Sequence, residues 1–133
     1  MKTKKQNKPE YHPLFVDGHI RTHSGIYVNI KNPTEDMIDI EDIAHSLAHQ
    51  CRFGGHLPKL YSVAQHSVLC ANILIEQYDD PEVAFVGLMH DGSEAYLIDM
   101  PTPIKDLLPE YKILENNFMK VIAKKFNFQF KKE

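Results

Sequence analysis

The stretch VAFVGLMHDGSEAY, residues 83–96, decides the fold, because it starts as an apolar helix and ends in the polar pair His90-Asp91. Adjacent residues on a regular helix point about 100° apart. His90 and Asp91 can therefore reach one ion only where the helix ends or distorts, and Gly92 permits such a break. Packing explains the pair poorly and a metal ion explains it well, whereas a solvated pair at a helix end is the alternative interpretation.

The segments before this stretch predict two further helices. Asp39 is suited to cap a helix through DIEDIAHSLAHQ, in which apolar residues recur at helical spacing. Ser62 and Gln65 form a capping-box pattern ahead of a second helix. One apolar stripe of this second helix is predicted to consist of Ala64, Val68, Ala71 and Ile75.

Two more helix starts and one hairpin complete the predicted fold. Asp80-Pro81 begins the helix that runs to His90, and Pro109 begins a last helix, after a connection that several prolines interrupt. The segment GHIRTHSGIYVNI looks extended, with a turn at Ser24-Gly25, which predicts a small hairpin. The predicted fold class is therefore all-α, a helical bundle with a small N-terminal β-hairpin.

Length and composition limit the function classes. The 133 residues favour one domain, over residues 18–133, after a flexible basic tail at residues 1–17. The 15 Lys and Arg against 18 Asp and Glu give no electrostatic argument for nucleic acid or an anionic membrane. No apolar run approaches the roughly 20 residues of a membrane helix. The two cysteines, without CxxC spacing, predict a reduced, cytoplasmic protein.

Polar groups outside the His90-Asp91 pair point to the same chemistry. His66 lies one turn into the second predicted helix, and Glu94 and Asp99 follow the pair. Imidazole and carboxylate together suit first-row divalent metals. Ligands on neighbouring helices can converge on one ion inside a bundle. We therefore expect His66, His90 and Asp91 to meet at a metal.

At these residues the chain resembles a known family. Arg52, the spacing from it to His66, and HDGSEAYLIDMPTPIK at residues 90–105 are similar to the HD-domain phosphohydrolases. The nearest likeness is to bacterial 5′-deoxynucleotidases and to phage-type HD nucleotide hydrolases. The latter also resemble CRFGGHLPKLYSVAQHSV at residues 51–68. The likeness extends over roughly residues 20–126.

The resemblance implies a fold and a cofactor. The fold would be an HD-type helical domain that holds one divalent metal ion with four protein ligands. Three of them would be His66, His90 and Asp91. Mn, Co, Zn, Fe and Mg are not distinguished by these ligands. The partner would be a small nucleotide substrate.

The resemblance also implies substrate-binding and catalytic roles. Arg52 would bind the substrate phosphate, Phe53 would shape the nucleoside pocket, and His56 would touch the substrate. Glu94 would orient or activate the attacking water, and Asp99 would lie near the leaving oxygen. The alternative for Arg52 is a surface ion pair, and for Glu94 and Asp99 it is ordinary acidity at the start of a helix.

The C-terminal part departs from the family pattern. The fourth family ligand is an aspartate on a later helix, whereas here Glu133 is the only acidic residue after Glu115. A naturally short protein, a truncated chain and an incomplete sequence all remain open as explanations. Phe126, Phe128 and Phe130 alternate with polar residues, which predicts an exposed apolar end and a homo-oligomer.

Two functions follow as expectations. The first is a metal-dependent phosphohydrolase that acts on a deoxynucleoside mono- or triphosphate. The second is a catalytically weak or inactive nucleotide-binding relative. Among the remaining residues, His45 and His49 lie four apart on one helix face, and we expect structural or pocket-lining roles for them. Cys70 is predicted to be a small core residue.

Overall fold

The computed structural model describes residues 12–129 and is mostly helical, with a small antiparallel sheet at its N-terminal end. The predictions of a mostly helical fold and of a small β-structure near the N-terminus are therefore confirmed. The α-helices of the described part are α1 Ile40–Ala48, α2 Val63–Tyr78, α3 Pro81–Met89, α4 Glu94–Leu97, α5 Thr102–Lys105 and α6 Pro109–Phe126.

The sheet contains one strand more than the predicted hairpin. Its strands are β1 Phe15–Val16, β2 His19–Arg21 and β3 Tyr27–Asn29, paired antiparallel in that order. The turn between β1 and β2 is Asp17-Gly18, and both residues have positive φ, as primed hairpin turns require. The sheet therefore begins inside the range assigned to the tail, of which residues 1–11 lie outside the described part.

Local caps explain where the long helices start. The Asp39 side chain accepts hydrogen bonds from the backbone N–H groups of Glu41 and Asp42 at the start of α1. Ser62 and Gln65 form both bonds of a capping box at the start of α2. These helix starts are confirmed as predicted. The short helix α4 follows the His90-Asp91 turn, and the proline-rich connection before α6 contains the short helix α5.

The core is formed where α6 packs against α4, α5 and the short turn Glu35–Met37 before α1. Its largest fully buried side chains include Phe118 and Ile122 of α6, together with Ile38, Val28 and Val63. The predicted stripe of α2 is wrong at Val68, which is 51 % exposed, since Val63 and Ser67 are the buried residues of that helix.

Close packing of α2 on α3 depends on Gly87. A Cβ atom at Gly87 would lie 2.2 Å from Cδ1 of Leu74 on α2, a distance that no side chain tolerates without movement. The absent side chain therefore lets the two helices that carry His66 and His90 approach each other.

The C-terminal phenylalanines do not form the predicted exposed end. Phe126 and Phe128 are partly buried and pack against the core, and Phe128 meets the Phe85 ring edge to face at 5.3 Å. Phe130 lies outside the described residues. Because Phe126 and Phe128 are packed against the core, they do not provide the exposed apolar surface from which self-association was predicted. Oligomeric state stays a prediction.

A buried carboxylate joins the sheet to α1. Asp42 accepts hydrogen bonds from the Thr22 hydroxyl and from the backbone N–H and hydroxyl of Ser24, each at 2.7 Å. The turn that these bonds fix carries His23, whose ring stacks on His45 at 3.7 Å. His45 in turn stacks on His49 at 4.1 Å. These histidines form a surface stack.

In the described residues, no helix combines the length and apolar character needed to cross a bilayer.

Candidate active site

A cavity of about 320 Å³ brings most of the predicted site residues together. Its walls come from α2, from the end of α3, from α4 and α5, and from the loop before α2. The predicted residues that line it are Arg52, Phe53, His66, His90, Asp91, Glu94 and Asp99. His56 is exposed and is not among the described lining residues.

The imidazoles of His66 and His90 converge on one carboxylate. Oδ2 of Asp91 lies 3.0 Å from Nε2 of His90 and 3.5 Å from Nε2 of His66. The convergence is possible because α3 ends at Met89, so that His90 and Asp91 leave the regular helix. A turn follows, with a hydrogen bond from the Gly92 N–H to the Met89 carbonyl. The break predicted at this position is confirmed.

His90 is oriented by its other ring nitrogen. Nδ1–H donates to the Gly87 carbonyl, which leaves Nε2 to face Asp91. In a neutral ring Nε2 would be an acceptor opposite another acceptor, so a proton or a metal ion is required between them. The hydrogen bond with Asp91 accordingly raises the pKa of His90 above its ordinary value.

Cys70 is a further candidate ligand that the sequence analysis placed in the core. Ligand atoms of His66, Cys70 and His90 all lie within 4.8 Å of one another, so this group could hold a metal ion. Sγ of Cys70 is 3.6 Å from Nε2 of His66, one helical turn away on α2. The i, i+4 spacing from His66 is the signal that could have identified it. Burial, followed by the charge of Asp91, raises the pKa of the Cys70 thiol.

Arg52 contacts one of the metal-ligand candidates, His66, directly. Its Nη1 donates to Nδ1 of His66 at 3.0 Å, and its guanidinium carbon lies 4.7 Å from the centre of the Phe53 ring. Burial and the charge of Arg52 lower the pKa of His66. Among the described residues, the buried Nε–H of Arg52 has no acceptor. A planar donor group with a free N–H in a cavity is suited to an anion.

Glu94 is a buried carboxyl on α4. Its side chain is almost completely enclosed, at 5 % exposure, and Oε2 has no hydrogen-bond partner within the described part of the chain. Burial, followed by the charges of Asp91 and Asp99, raises the pKa of Glu94 to about 8. In the absence of a metal ion, a carboxyl with this pKa favours its protonated form at neutral pH.

Gln50 connects the two predicted catalytic carboxylates through their backbone. Its Nε2 donates to the Glu94 carbonyl at 2.9 Å, and its Oε1 accepts from the Asp99 N–H at 2.9 Å. Sequence reasoning missed Gln50, because its partners are 44 and 49 residues away.

Lys105 is a second cation of the cavity. It is the last residue of the family-like motif, and its Nζ forms an ion pair with Oε2 of Glu115 on α6 at 3.0 Å. Although burial alone would lower the pKa of Lys105, the hydrogen bond with Glu115 raises it. The cavity thus carries a fixed ammonium group in addition to Arg52.

Comparisons with known proteins give relatives without a stated activity. No family model matches this chain. It is 46 % identical over 107 residues to the uncharacterized protein YfdR of Escherichia coli strain K12, an alignment that covers 80 % of this chain and 57 % of YfdR. It is 37 % identical over 91 residues to the uncharacterized protein RCAP_rcc00048 of Rhodobacter capsulatus, with 64 % of this chain and 45 % of that protein covered. The chain spans about half the length of these curated relatives, and its function has to be argued from the cavity.

Proposed function

We propose that the chain is a metal-dependent phosphohydrolase of the HD type that acts on a nucleotide, a deoxynucleoside mono- or triphosphate. One observation carries the proposal. Two imidazoles and a carboxylate converge in a cavity that also contains Arg52 and the buried carboxyl of Glu94, whose Nε–H and Oε2 have no partner among the described residues. These groups suit phosphate-ester hydrolysis, which requires a cation to neutralise charge, a group that binds the phosphate and a proton acceptor for the attacking water.

His66, His90 and Asp91 would hold the metal ion. The facing acceptors of His90 and Asp91 fit a cation between them. Asp91 is a better third ligand than Cys70, because its pKa is lowered while that of the thiol is raised, and a ligand must be deprotonated. Although burial alone would raise the pKa of Asp91, the hydrogen bond with His90 lowers it. A bound divalent ion would lower the pKa of its water and polarise a phosphoryl oxygen.

Arg52 and Phe53 would bind the nucleotide. The guanidinium can offer two parallel N–H donors to two phosphate oxygens, a geometry that lysine cannot reproduce. The Phe53 ring beside it is 49 % exposed and lines the cavity, so it can stack on a base or sugar. His56 stays a prediction as a substrate contact, reachable only by a substrate that extends beyond the cavity.

Glu94 and Asp99 would handle protons. A cation bound at His90 and Asp91 would favour the ionised form of Glu94, whose free Oε2 could then accept a proton from the attacking water. Asp99, on the same cavity wall, could donate a proton to the leaving oxygen when it is protonated. The backbone of both residues is held by hydrogen bonds to the Gln50 side chain.

One observation favours the second candidate, a nucleotide-binding protein of low activity. Within the described residues, the part of α6 after Glu115 offers Asn116 and Asn117 but no carboxylate to complete the ligand set. Three protein ligands still suffice for catalytic zinc sites that leave one position open. We therefore favour the hydrolase.

The test is phosphate release from a panel of deoxy- and ribonucleoside mono- and triphosphates, with Mn²⁺, Co²⁺, Zn²⁺, Fe²⁺ and Mg²⁺ supplied in turn. The wild-type protein should hydrolyse at least one deoxynucleotide. Glu94→Gln should reduce the rate by roughly 10²-fold or more, the range for a positioned acid-base group. Glu110→Gln, on the exposed start of α6, is the matched control. Binding of nucleotide without turnover would favour the second candidate.

A further inference from the structure

Ile98 has a backbone conformation that side-chain-bearing residues avoid. Its φ of 72° and ψ of 152° lie in a region that only glycine adopts readily. Isoleucine is also β-branched, which makes a positive φ especially unfavourable. The Ile98 side chain is 59 % exposed, so burial of that side chain does not impose the conformation.

The backbone around Ile98 is instead held by one residue of α6 and one residue of the loop that follows α1. The buried Tyr111 of α6 donates its hydroxyl hydrogen bond to the Ile98 carbonyl. Gln50, directly after α1, binds the Glu94 carbonyl on one side and the Asp99 N–H on the other. Two side chains that are distant in sequence, those of Gln50 and Tyr111, therefore restrain the backbone of residues 94–99.

The conformation of Ile98 has a direct effect on the cavity. It ends α4 after a single turn, and Asp99, the next residue, then lines the same cavity as Glu94. We propose that Gln50 and Tyr111 hold Ile98 in a strained conformation in order to position Asp99 and Glu94 for the reaction. Gln50, Ile98 and Tyr111 are thus positioning residues. Their role in positioning the catalytic groups rests on the proposed function, whereas the strained backbone of Ile98 is independent of it.

The strain is tested by comparing Ile98→Gly with Ile98→Ala. Both variants lose the exposed side chain, but only glycine relieves the strain, because alanine retains Cβ. At ordinary positions alanine is the more stable, since glycine has the larger entropy in the unfolded chain. At residue 98 the folding equilibrium constant from urea denaturation should be about ten-fold greater for glycine. Alanine being equal to or more stable than glycine would overturn the proposal.

Positioning is tested by measuring kcat and KM, because a purely structural role would not lower kcat while leaving KM unchanged. Gln50→Met, a substitution of similar shape without hydrogen bonds, should reduce kcat about ten-fold on the best nucleotide of the panel while its KM changes less than two-fold. Ile98→Gly should keep kcat within two-fold of the wild type, because glycine adopts the same conformation and the hydrogen bonds from Gln50 and Tyr111 remain. Gln77→Met, on the exposed side of α2, is the matched control. An unchanged kcat in Gln50→Met would overturn the proposal.

Hydrogen exchange separates this proposal from the proposed function. The Asp99 N–H should exchange slowly in the wild-type chain and at least ten-fold faster in Gln50→Met, because it loses its acceptor. This result needs no substrate. If no nucleotide is hydrolysed, the proposed function fails. Slow exchange of the Asp99 N–H and the greater stability of Ile98→Gly over Ile98→Ala would still support the proposal that Gln50 and Tyr111 hold Ile98 in a strained conformation. Equal exchange rates in the two proteins would show that Gln50 does not hold Asp99.

Discussion

Nη1 of Arg52 and Nδ1 of His66 are 3.0 Å apart, so that the arginine donates a hydrogen bond to the imidazole. A neutral imidazole has one ring nitrogen with a free lone pair. In the metal-free protein this lone pair serves Arg52, and the proton of His66 lies on Nε2, opposite Asp91. A metal ion bound at Nδ1 of His66 would occupy this lone pair. A metal ion bound at Nε2 would displace the proton to Nδ1, which could then no longer accept from Arg52.

Zinc binding should therefore release Arg52. ¹⁵N NMR should show His66 protonated at Nε2 before zinc is added and at Nδ1 afterwards if Nε2 binds the ion. The Arg52 side-chain signals should shift at the same time, whereas those of Arg21, in the sheet, should stay in place and serve as the internal control. Unchanged Arg52 signals on stoichiometric zinc binding would contradict the competition.

His90→Ala should abolish stoichiometric metal binding and leave helical content largely intact. The imidazole faces Asp91 and His66 and is only partly buried, so its loss removes a ligand without opening the core. Elemental analysis after purification, with circular dichroism, measures both effects. His56→Ala removes an exposed histidine outside the cavity and should keep its metal. Equal metal content in the two variants would rule out His90 as a ligand.

Stability of the metal-free protein should fall as the pH rises from about 4.5 to about 8, in part because of Glu94. Its pKa is raised from 4.5 to about 8 by burial and neighbouring carboxylates, so the folded state binds this proton more tightly than the unfolded state. The resulting stabilisation is complete below pH 4.5 and is lost as the pH rises through 8. Glu94→Gln cannot ionise, so relative to wild type it should gain on the order of a few kcal/mol between pH 5 and pH 9. Urea denaturation in chelator measures the difference, and parallel pH profiles would contradict it.

The Lys105–Glu115 ion pair should contribute more to stability than the exposed pair of Lys112 and Asp106. The side chains of the first pair are 19 % and 25 % exposed, against 52 % and 58 % for the second, although the separations are alike at 3.0 Å and 3.1 Å. A double-mutant cycle with Lys105→Met and Glu115→Gln should give a coupling of roughly 1–3 kcal/mol. The corresponding cycle at the exposed pair should give about 0.5 kcal/mol or less. Equal couplings would show that water screens both pairs alike.

Asp42→Ala should destabilise the protein by roughly 1–3 kcal/mol, because it leaves the Ser24 N–H and two hydroxyl groups without their acceptor. Burial alone would raise the pKa of Asp42, but the hydrogen bonds from Ser24 and Thr22 lower it. The stabilisation is therefore present above pH 3.8 and is lost as the pH falls further. Urea denaturation at pH 7 measures the loss. Glu41→Ala, the exposed neighbour, is the control, and equal effects of the two would contradict a stabilising role for the Asp42 hydrogen bonds.

The sequence by itself determined the helix starts and the central part of the candidate site. Asp39, Ser62 and Asp80 cap backbone N–H groups two or three residues away, so their signals are complete within one turn of chain. The adjacency of His90 and Asp91, with a helix that had to end there, likewise predicted their convergence. Arg52, Phe53, Glu94 and Asp99 were identified by resemblance, and the cavity brings them together.

Only the tertiary structure decided how these groups are held and which others join them. Cys70 joins the histidines because Gly87 lets α2 and α3 approach closely. Gln50 reaches Glu94 and Asp99 across 44 and 49 residues, and Tyr111 reaches the Ile98 carbonyl from α6. Ile98 adopts a backbone conformation that favours glycine and that isoleucine by itself avoids. Local sequence could not predict it, because the hydrogen bonds that maintain it exist only after the distant helices have packed.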